Sequence, residues 1–218
     1  LSWRALTLWL GGVGVVMFVL VVLPSMGSTK MRLSSVELSS MAKDNFRYRT
    51  QKILQILLVV YVGLTLVETV LLRMAGMSWF EAVCNSFSTI ATGGFCTRNA
   101  SIAAYGSLWI EMIVVFFMAV SGLHFGLIFA TLTGKSNNIF RSEISRYYVL
   151  SLLLGGLIVS VSLWASDMYP TFASSMRYGF FQVVSVSSTT GFATADSSVW
   201  TPLAIMVLTL FTMQCACA

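Results

Sequence analysis

Apolar residues in this chain come in long unbroken runs, not in the one-sided stripes that water-soluble helices show. Runs at about Ala5–Leu23, Ile53–Leu72, Leu108–Leu132, Tyr147–Ala165 and from Pro202 onward predict helices that cross a bilayer, which takes roughly 20 apolar residues. Pro24 closes the first run and Arg73 the second, while Pro202 opens the last, a place where proline fits the first helical turn. Two intervening segments behave differently. Ser78, with Glu81 three residues later, reads as a capping box that opens a helix. That helix has only about ten residues before Thr92-Gly93-Gly94 stops it, a length that suits a re-entrant segment better than a crossing. A second short helix, from about Ser175 to Val186, is stopped in the same manner by Ser187-Ser188-Thr189-Thr190-Gly191.

These two segments are copies of one pattern. Ser88-Thr-Ile-Ala-Thr-Gly-Gly-Phe95 aligns with Ser185-Val-Ser-Ser-Thr-Thr-Gly-Phe192, matching Ser88 to Ser185, Thr92 to Thr189, Gly94 to Gly191 and Phe95 to Phe192. The offset is 191 − 94 = 97 residues. Each copy is framed by one apolar run before and one after, so both run the same way through the bilayer. The fold class expected is therefore an all-α polytopic membrane protein built of repeated units of span, short helix, hydroxyl/glycine loop and span. The repeat divides the chain into residues 1–27, the inner helix closing a first unit; 28–52, a cytoplasmic loop; 53–133, a second unit; 134–146, another cytoplasmic loop; and 147–218, a third unit reaching into its inner helix. The first run starts beside Leu1 and the last is still apolar at Ala218, which leads us to expect a piece of a longer chain holding about two and a half units.

Composition agrees with a lipid environment. The chain is 57% hydrophobic and 10% charged, with mean hydropathy +0.84, against about 25% charged in soluble domains. A barrel would show short segments of alternating polarity, and none is apparent. The net charge of +5 gathers in Lys30, Arg32, Lys43, Arg47, Arg49 and Lys52, and in Lys135, Arg141 and Arg146. Basic short loops stay on the cytoplasmic side, so these two face inward. Because the basic residues flank spans and form no single face, nucleic acid is not the expected partner. Cys84, Cys96, Cys215 and Cys217 read as small packing residues, with no disulfide framework or metal spacing. Ser121 and His124 share a helix, but adjacent positions on one helix do not supply an oxyanion hole as well, and no Gly-x-Ser-x-Gly is present. An enzyme is not expected.

Irregular backbone at membrane depth is tolerated only where it lines water or is buried in protein, so two such loops at matching places point to a shared aqueous axis. The loop residues Ala91, Thr92, Gly93, Gly94 and Ser188, Thr189, Thr190, Gly191 are neutral, and their ligands are main-chain carbonyls and hydroxyls. These are hard oxygens able to replace the hydration shell of an alkali cation. Each short helix directs its carboxyl-terminal partial negative charge at the same axis. Local capping by the hydroxyls is the plainer reading of the threonines and serines, and which oxygen faces inward is open at this stage. His124 lies between Gly122 and Gly126, where a hydrogen-bonded structural role competes with a gating or proton-linked one. Glu68 and Glu111, near outer helix ends, are expected at the interface, and Trp79, Trp109, Tyr169 and Trp200 in interfacial belts. Arg177 opposes the dipole of its short helix without a partner visible in the sequence.

Three motifs carry a family resemblance: Phe87-Ser-Thr-Ile-Ala-Thr-Gly-Gly-Phe95, Ser188-Thr-Thr-Gly-Phe-Ala-Thr-Ala-Asp196, and the opening Trp3-Arg-Ala-Leu-Thr-Leu-Trp-Leu-Gly-Gly-Val-Gly14. Together they resemble the membrane subunit of bacterial Trk-type potassium uptake systems, within the Trk/Ktr/HKT superfamily, over essentially the whole chain. The resemblance implies four helix–pore loop–helix units arranged pseudo-four-fold around one pore, and potassium uptake across the cytoplasmic (inner) membrane. Gly94 and Gly191 would be filter glycines, and the backbone carbonyls of Thr92, Gly93, Thr189 and Thr190 would bind the ion. It implies potassium as substrate and no organic cofactor, a homodimer of complete subunits, and a cytosolic nucleotide-binding (TrkA-like) regulatory subunit docked on residues 28–52 and 134–146. Cys215-Ala-Cys217-Ala218 matches residues leading into a gating interruption of the family, where position 215 departs from the usual glycine; Cys215 and Cys217 are thus gating or structural candidates. A sodium-selective or non-coupled cation channel of the same architecture is the alternative.

Overall fold

The computed structural model describes residues 2–14, 40–123 and 143–216. Regular structure among them is entirely helical: α1 (residues 2–14), α2 (Ser40–Met74), α3 (Trp79–Ile90), α4 (Leu108–Ser121), α5 (Glu143–Ala165), α6 (Phe172–Ser187) and α7 (Pro202–Ala216), with two short 3-10 turns at Ser101–Tyr105 and Ser197–Val199. His124 and Cys217 lie outside the described residues, and so do residues 28–39 and 134–142 of the two expected cytoplasmic loops.

The helices follow the hydropathy pattern, with differences at their ends; α5 begins at Glu143, so residues 143–146, expected as loop, are helical, and α6 begins at Phe172, ahead of Ser175. The second helix begins at Ser40, so residues 40–52, expected as loop, continue the span as helix. The helix from Leu108 stops at Ser121, well short of Leu132, where the Gly122 N–H closes onto the Met118 and Val120 carbonyls. Gly122 also admits α5, because a Cβ there would run into the Tyr148 hydroxyl.

The molecule is apolar outside and polar in places within. Val59, Leu66, Val67 and Val70 on α2, and Leu150, Leu153, Leu154, Leu157 and Val161 on α5, face outward, while Asn85, Ser86, Ser88, Thr89 and Ser185 on the short helices are buried. A protein folded for water places these classes the other way round. Two helices, Leu57–Met74 and Ser145–Ala165, are long and apolar enough to cross a bilayer, and Leu108–Ser121 and Pro202–Met213 are shorter apolar helices. The surface and the spans together describe a membrane protein.

Helices α3 and α6 are each held between their neighbours in the chain: α3 packs on α2 and α4, and α6 on α5 and α7. Close approach of α5 and α6 rests on small residues, since a Cβ on Gly179 would come within 2.8 Å of the Ser160 hydroxyl. The second short helix, α6, also packs on α4, and one core cluster, containing Leu72, Met118, Phe181, Phe192 and Trp200, runs through both units. Trp200 is thus a core residue, only 4% exposed and in the same cluster as Phe192, and not part of an interfacial belt as expected. Trp79 and Trp109 are exposed.

Candidate ion filter

Local sequence starts the first short helix as expected. Ser78 accepts a hydrogen bond from the Glu81 N–H, and the Glu81 carboxylate accepts from the Ser78 N–H and hydroxyl, at 3.3 and 2.9 Å. Burial opposes the charge on Glu81, but its bonds with Ser78 and Arg98 outweigh that and hold its carboxyl below the usual carboxylate range. Thr171 caps the second short helix by accepting from the Ser174 N–H at 3.2 Å.

At their other ends the two helices unwind in the same way. The backbone turns to positive φ at Thr92 (51°) and Gly94 (66°), and again at Thr189 (57°) and Gly191 (84°), so the repeat recurs in the dihedral angles. A β-branched residue with positive φ is an outlier that persists only where its surroundings impose it. Here the imposition is visible. The N–H groups of Ala91, Thr92 and Gly93 donate back to the carbonyls of Phe87, Thr89 and Ser88, at 3.2, 3.0 and 2.7 Å. Those of Ser188, Thr189 and Thr190 donate back to Val184, Val186 and Ser185, at 2.9, 3.0 and 3.0 Å. The N–H donors of Ala91 to Gly93, and of Ser188 to Thr190, are therefore consumed by their own helices. Among the described residues no donor reaches the carbonyl oxygens of Thr92, Gly93, Thr189 or Thr190. An array of oxygens without N–H partners suits a cation and repels an anion.

The loops also meet. A Cβ at Gly94 would collide with the carbonyl oxygen of Thr190 and stand 3.1 Å from the Gly191 carbonyl carbon, so the two backbones lie against each other. A Cβ at Gly191 would have open space among the described residues. On its far side the first loop is backed by α1, where a Cβ on Gly93 would come within 2.8 Å of Leu8. Trp9 reinforces that wall by donating to the Thr65 hydroxyl at 3.1 Å and stacking on Phe87 at 5.1 Å. Arg4 sits 4.2 Å over the Phe95 ring. Beyond the two loops, the Ala193 N–H donates to the Ser101 hydroxyl and the Ala103 N–H to the Ala193 carbonyl, at 3.2 and 3.3 Å, joining the segment after the first loop to the segment after the second.

Sequence reading brought together the loop residues but missed their braces. Ser88 accepts from the Phe95 N–H, and Ser185 donates to the Phe192 carbonyl, both at 2.6 Å and both fully buried. The repeat alignment had paired these serines, so a signal existed. Hydroxyls in the second loop bond locally: Ser188 with Thr190 at 2.8 Å, and Thr189 donating to the Ser188 carbonyl at 2.7 Å. Glu68 and Glu111 are buried, 0% and 4% exposed, and not interfacial. Glu68 lies on the α2 face beside Thr89, and Glu111 is covered because it pairs with Arg177. Asp196 is exposed and already accepts from the Ser198 N–H and hydroxyl at 3.0 and 2.6 Å; those bonds hold its carboxyl below the usual range. Cys84 is buried and Cys96 half-buried, while Cys215 is in α7 with its side chain outside the described part.

Comparison with known proteins adds an independent finding. The sequence profile of the TrkH family, described as cation transport protein, matches residues 1–155. The Trk system potassium uptake protein TrkH of Salmonella typhimurium is 35% identical over 212 residues, covering 96% of this chain and 44% of that protein. That of Halomonas elongata is 37% identical over 204 residues, covering 92% and 42%. The crystal structure of the potassium transporter TrkH from Vibrio parahaemolyticus superposes with a TM-score of 0.80 at 27% identity, over 96% of this chain and 42% of that one. The chain spans less than half the length of each of these relatives.

Proposed function

This chain belongs to the TrkH family of cation transport proteins, and from that premise we propose that its two loops are two sides of a selectivity filter through which potassium enters the cell. The observation that carries the proposal is the pairing of spent donors with free acceptors at matched positions: the carbonyls of Thr92, Gly93, Thr189 and Thr190 are left to ligate a dehydrated cation. Ala91, Ser188, Gly94 and Gly191 shape the turns. The likeness to potassium uptake proteins over nearly all of this chain supports potassium as the substrate. The reaction is passage of an ion and involves no covalent step, so the residues act by position and dipole, and no organic cofactor enters.

The arrangement follows from the repeat. Residues 53–133 and 147–218 each form a unit, and residues 1–27 close the unit before them. Four such units around one axis make the pore of the complete protein, in the cytoplasmic membrane. The complete subunits pair as a homodimer, and residues 28–52 and 134–146 contribute to a surface for a cytosolic nucleotide-binding regulatory subunit. His124, Cys215 and Cys217 serve gating or packing.

Rubidium or potassium uptake in cells lacking other uptake systems, with sodium as competitor, tests the reading. Uptake that favours potassium, and a Gly191→Ser variant that loses part of that preference, are expected. An unchanged preference in Gly191→Ser overturns the filter assignment, and uptake favouring sodium selects the sodium-selective alternative.

A further inference from the structure

The second pore helix is held by a group from the neighbouring unit. Arg177 Nε donates to Glu111 Oε2 at 2.6 Å and Arg177 Nη2 donates to Oε1 at 2.7 Å, a two-pronged pair between residues 66 apart in the chain. Glu111 is 6% exposed at its side chain and Arg177 30%. Glu111 stands in the first turn of α4, where a negative charge is favoured, while Arg177 stands in the amino-terminal half of α6, where a positive charge is not. Something must offset that placement, and a bidentate carboxylate does so with fixed geometry.

Among the described residues the pair has no counterpart in the first unit. By the offset of 97, the position equivalent to Arg177 is Phe80. The start of α3 is held instead from within its own unit, through Ser78, Glu81 and Arg98, the last pair at 2.9 Å. Helix α6 is thus the one of the two whose amino-terminal half is anchored by an ion pair from across the unit boundary. A helix moves as a rod, so an anchor near its start determines where its carboxyl end, and the Ser188–Gly191 loop beyond it, meet Gly94.

We infer that Glu111 and Arg177 are positioning residues for the filter: their two-pronged ion pair fixes the second loop against the first and thereby sets the discrimination between potassium and sodium. The inference rests on the filter reading given above. Neither residue touches the ion.

The test uses the protein as its host makes it, in the uptake assay with sodium competition, normalised to the amount of protein in the membrane. Arg177→Lys keeps the charge and removes the fork, so it separates geometry from folding. It is expected to lower potassium-over-sodium preference by about tenfold, and the exchange E111R with R177E is expected to recover most of it. A control, Gly191→Ser, reports on the filter itself. Should Gly191→Ser lose preference while Arg177→Lys only lowers the amount of protein, the positioning role is overturned and the filter reading stands. Should Gly191→Ser retain preference, the filter reading has failed, whatever Arg177→Lys does. If Arg177→Lys does not accumulate, E111Q with R177M, which removes both charges together, carries the same comparison: normal preference in it overturns the inference.

Discussion

Gly94 and Gly191 occupy the same place in the repeat, yet the structure gives them different burdens. Both have positive φ, which an L residue adopts at a cost of roughly 1–2 kcal/mol. Gly94 in addition lies against the Thr190 carbonyl, where a methyl group has no room, whereas the flank of Gly191 is open among the described residues. Gly94→Ala is therefore expected to abolish rubidium uptake at normal protein amounts, and Gly191→Ala to reduce it; equal losses would contradict the difference in packing. The buried serines behave differently again. Ser88→Ala leaves the Phe95 N–H without its acceptor and is expected to lower stability by about 1–3 kcal/mol, read as a lower midpoint of thermal unfolding in detergent. Of these details the repeat made the glycines and serines legible, because matched spacing survives in sequence. The collision at Gly94 was not legible, since it depends on a loop 97 residues away.

Among the elements, the short helices were the most readable. Ser78 and Glu81 announce the start of α3, and the capping box is present as the spacing requires. Replacing Ser78 by Ala is expected to cost about 1 kcal/mol. The same box makes the start of α3 acid-sensitive. Glu81 titrates below its ordinary value of about 4.3 when folded, so the stability it contributes is present in full above that value. It is lost as pH falls through the depressed one. Melting profiles at pH 7 and pH 3.5 are expected to differ more for the natural protein than for Glu81→Gln; equal differences would remove Glu81 from the acid response. Element ends were less legible where packing decided them. The stop of α4 at Ser121 is one such case, with Gly122 pressed against Tyr148 of the following unit. The extension of α2 back to Ser40 is another: charged residues mark a helix as leaving the bilayer but do not end it.

For the whole molecule, hydropathy revealed the solvent and the repeat revealed the units, but neither showed how the units are joined. The joints are long-range: Gly94 on Thr190, Ser101 and Ala103 on Ala193, Glu111 on Arg177, and a core cluster running from Leu72 to Trp200. Arg177 shows why. Its sequence neighbours make it an uncompensated charge, and only the fold brings α4 beside α6. A shared core predicts shared unfolding. Phe192→Ala in the second unit and Met118→Ala in the first are each expected to lower the same single transition, by about 2–5 kcal/mol. Two separate transitions, each moved by one variant, would show that the units fold apart.

The positive φ of Gly191 carries one more consequence, which only chemical synthesis can exploit. A twist of that sign is the mirror image of what natural side chains favour, and so is the preferred state of a residue of opposite chirality. D-alanine introduced there by ligation should keep the loop in its native path where L-alanine strains it. Ion preference retained by the one stereoisomer and lost by the other would trace the glycine to its handedness and not to its size.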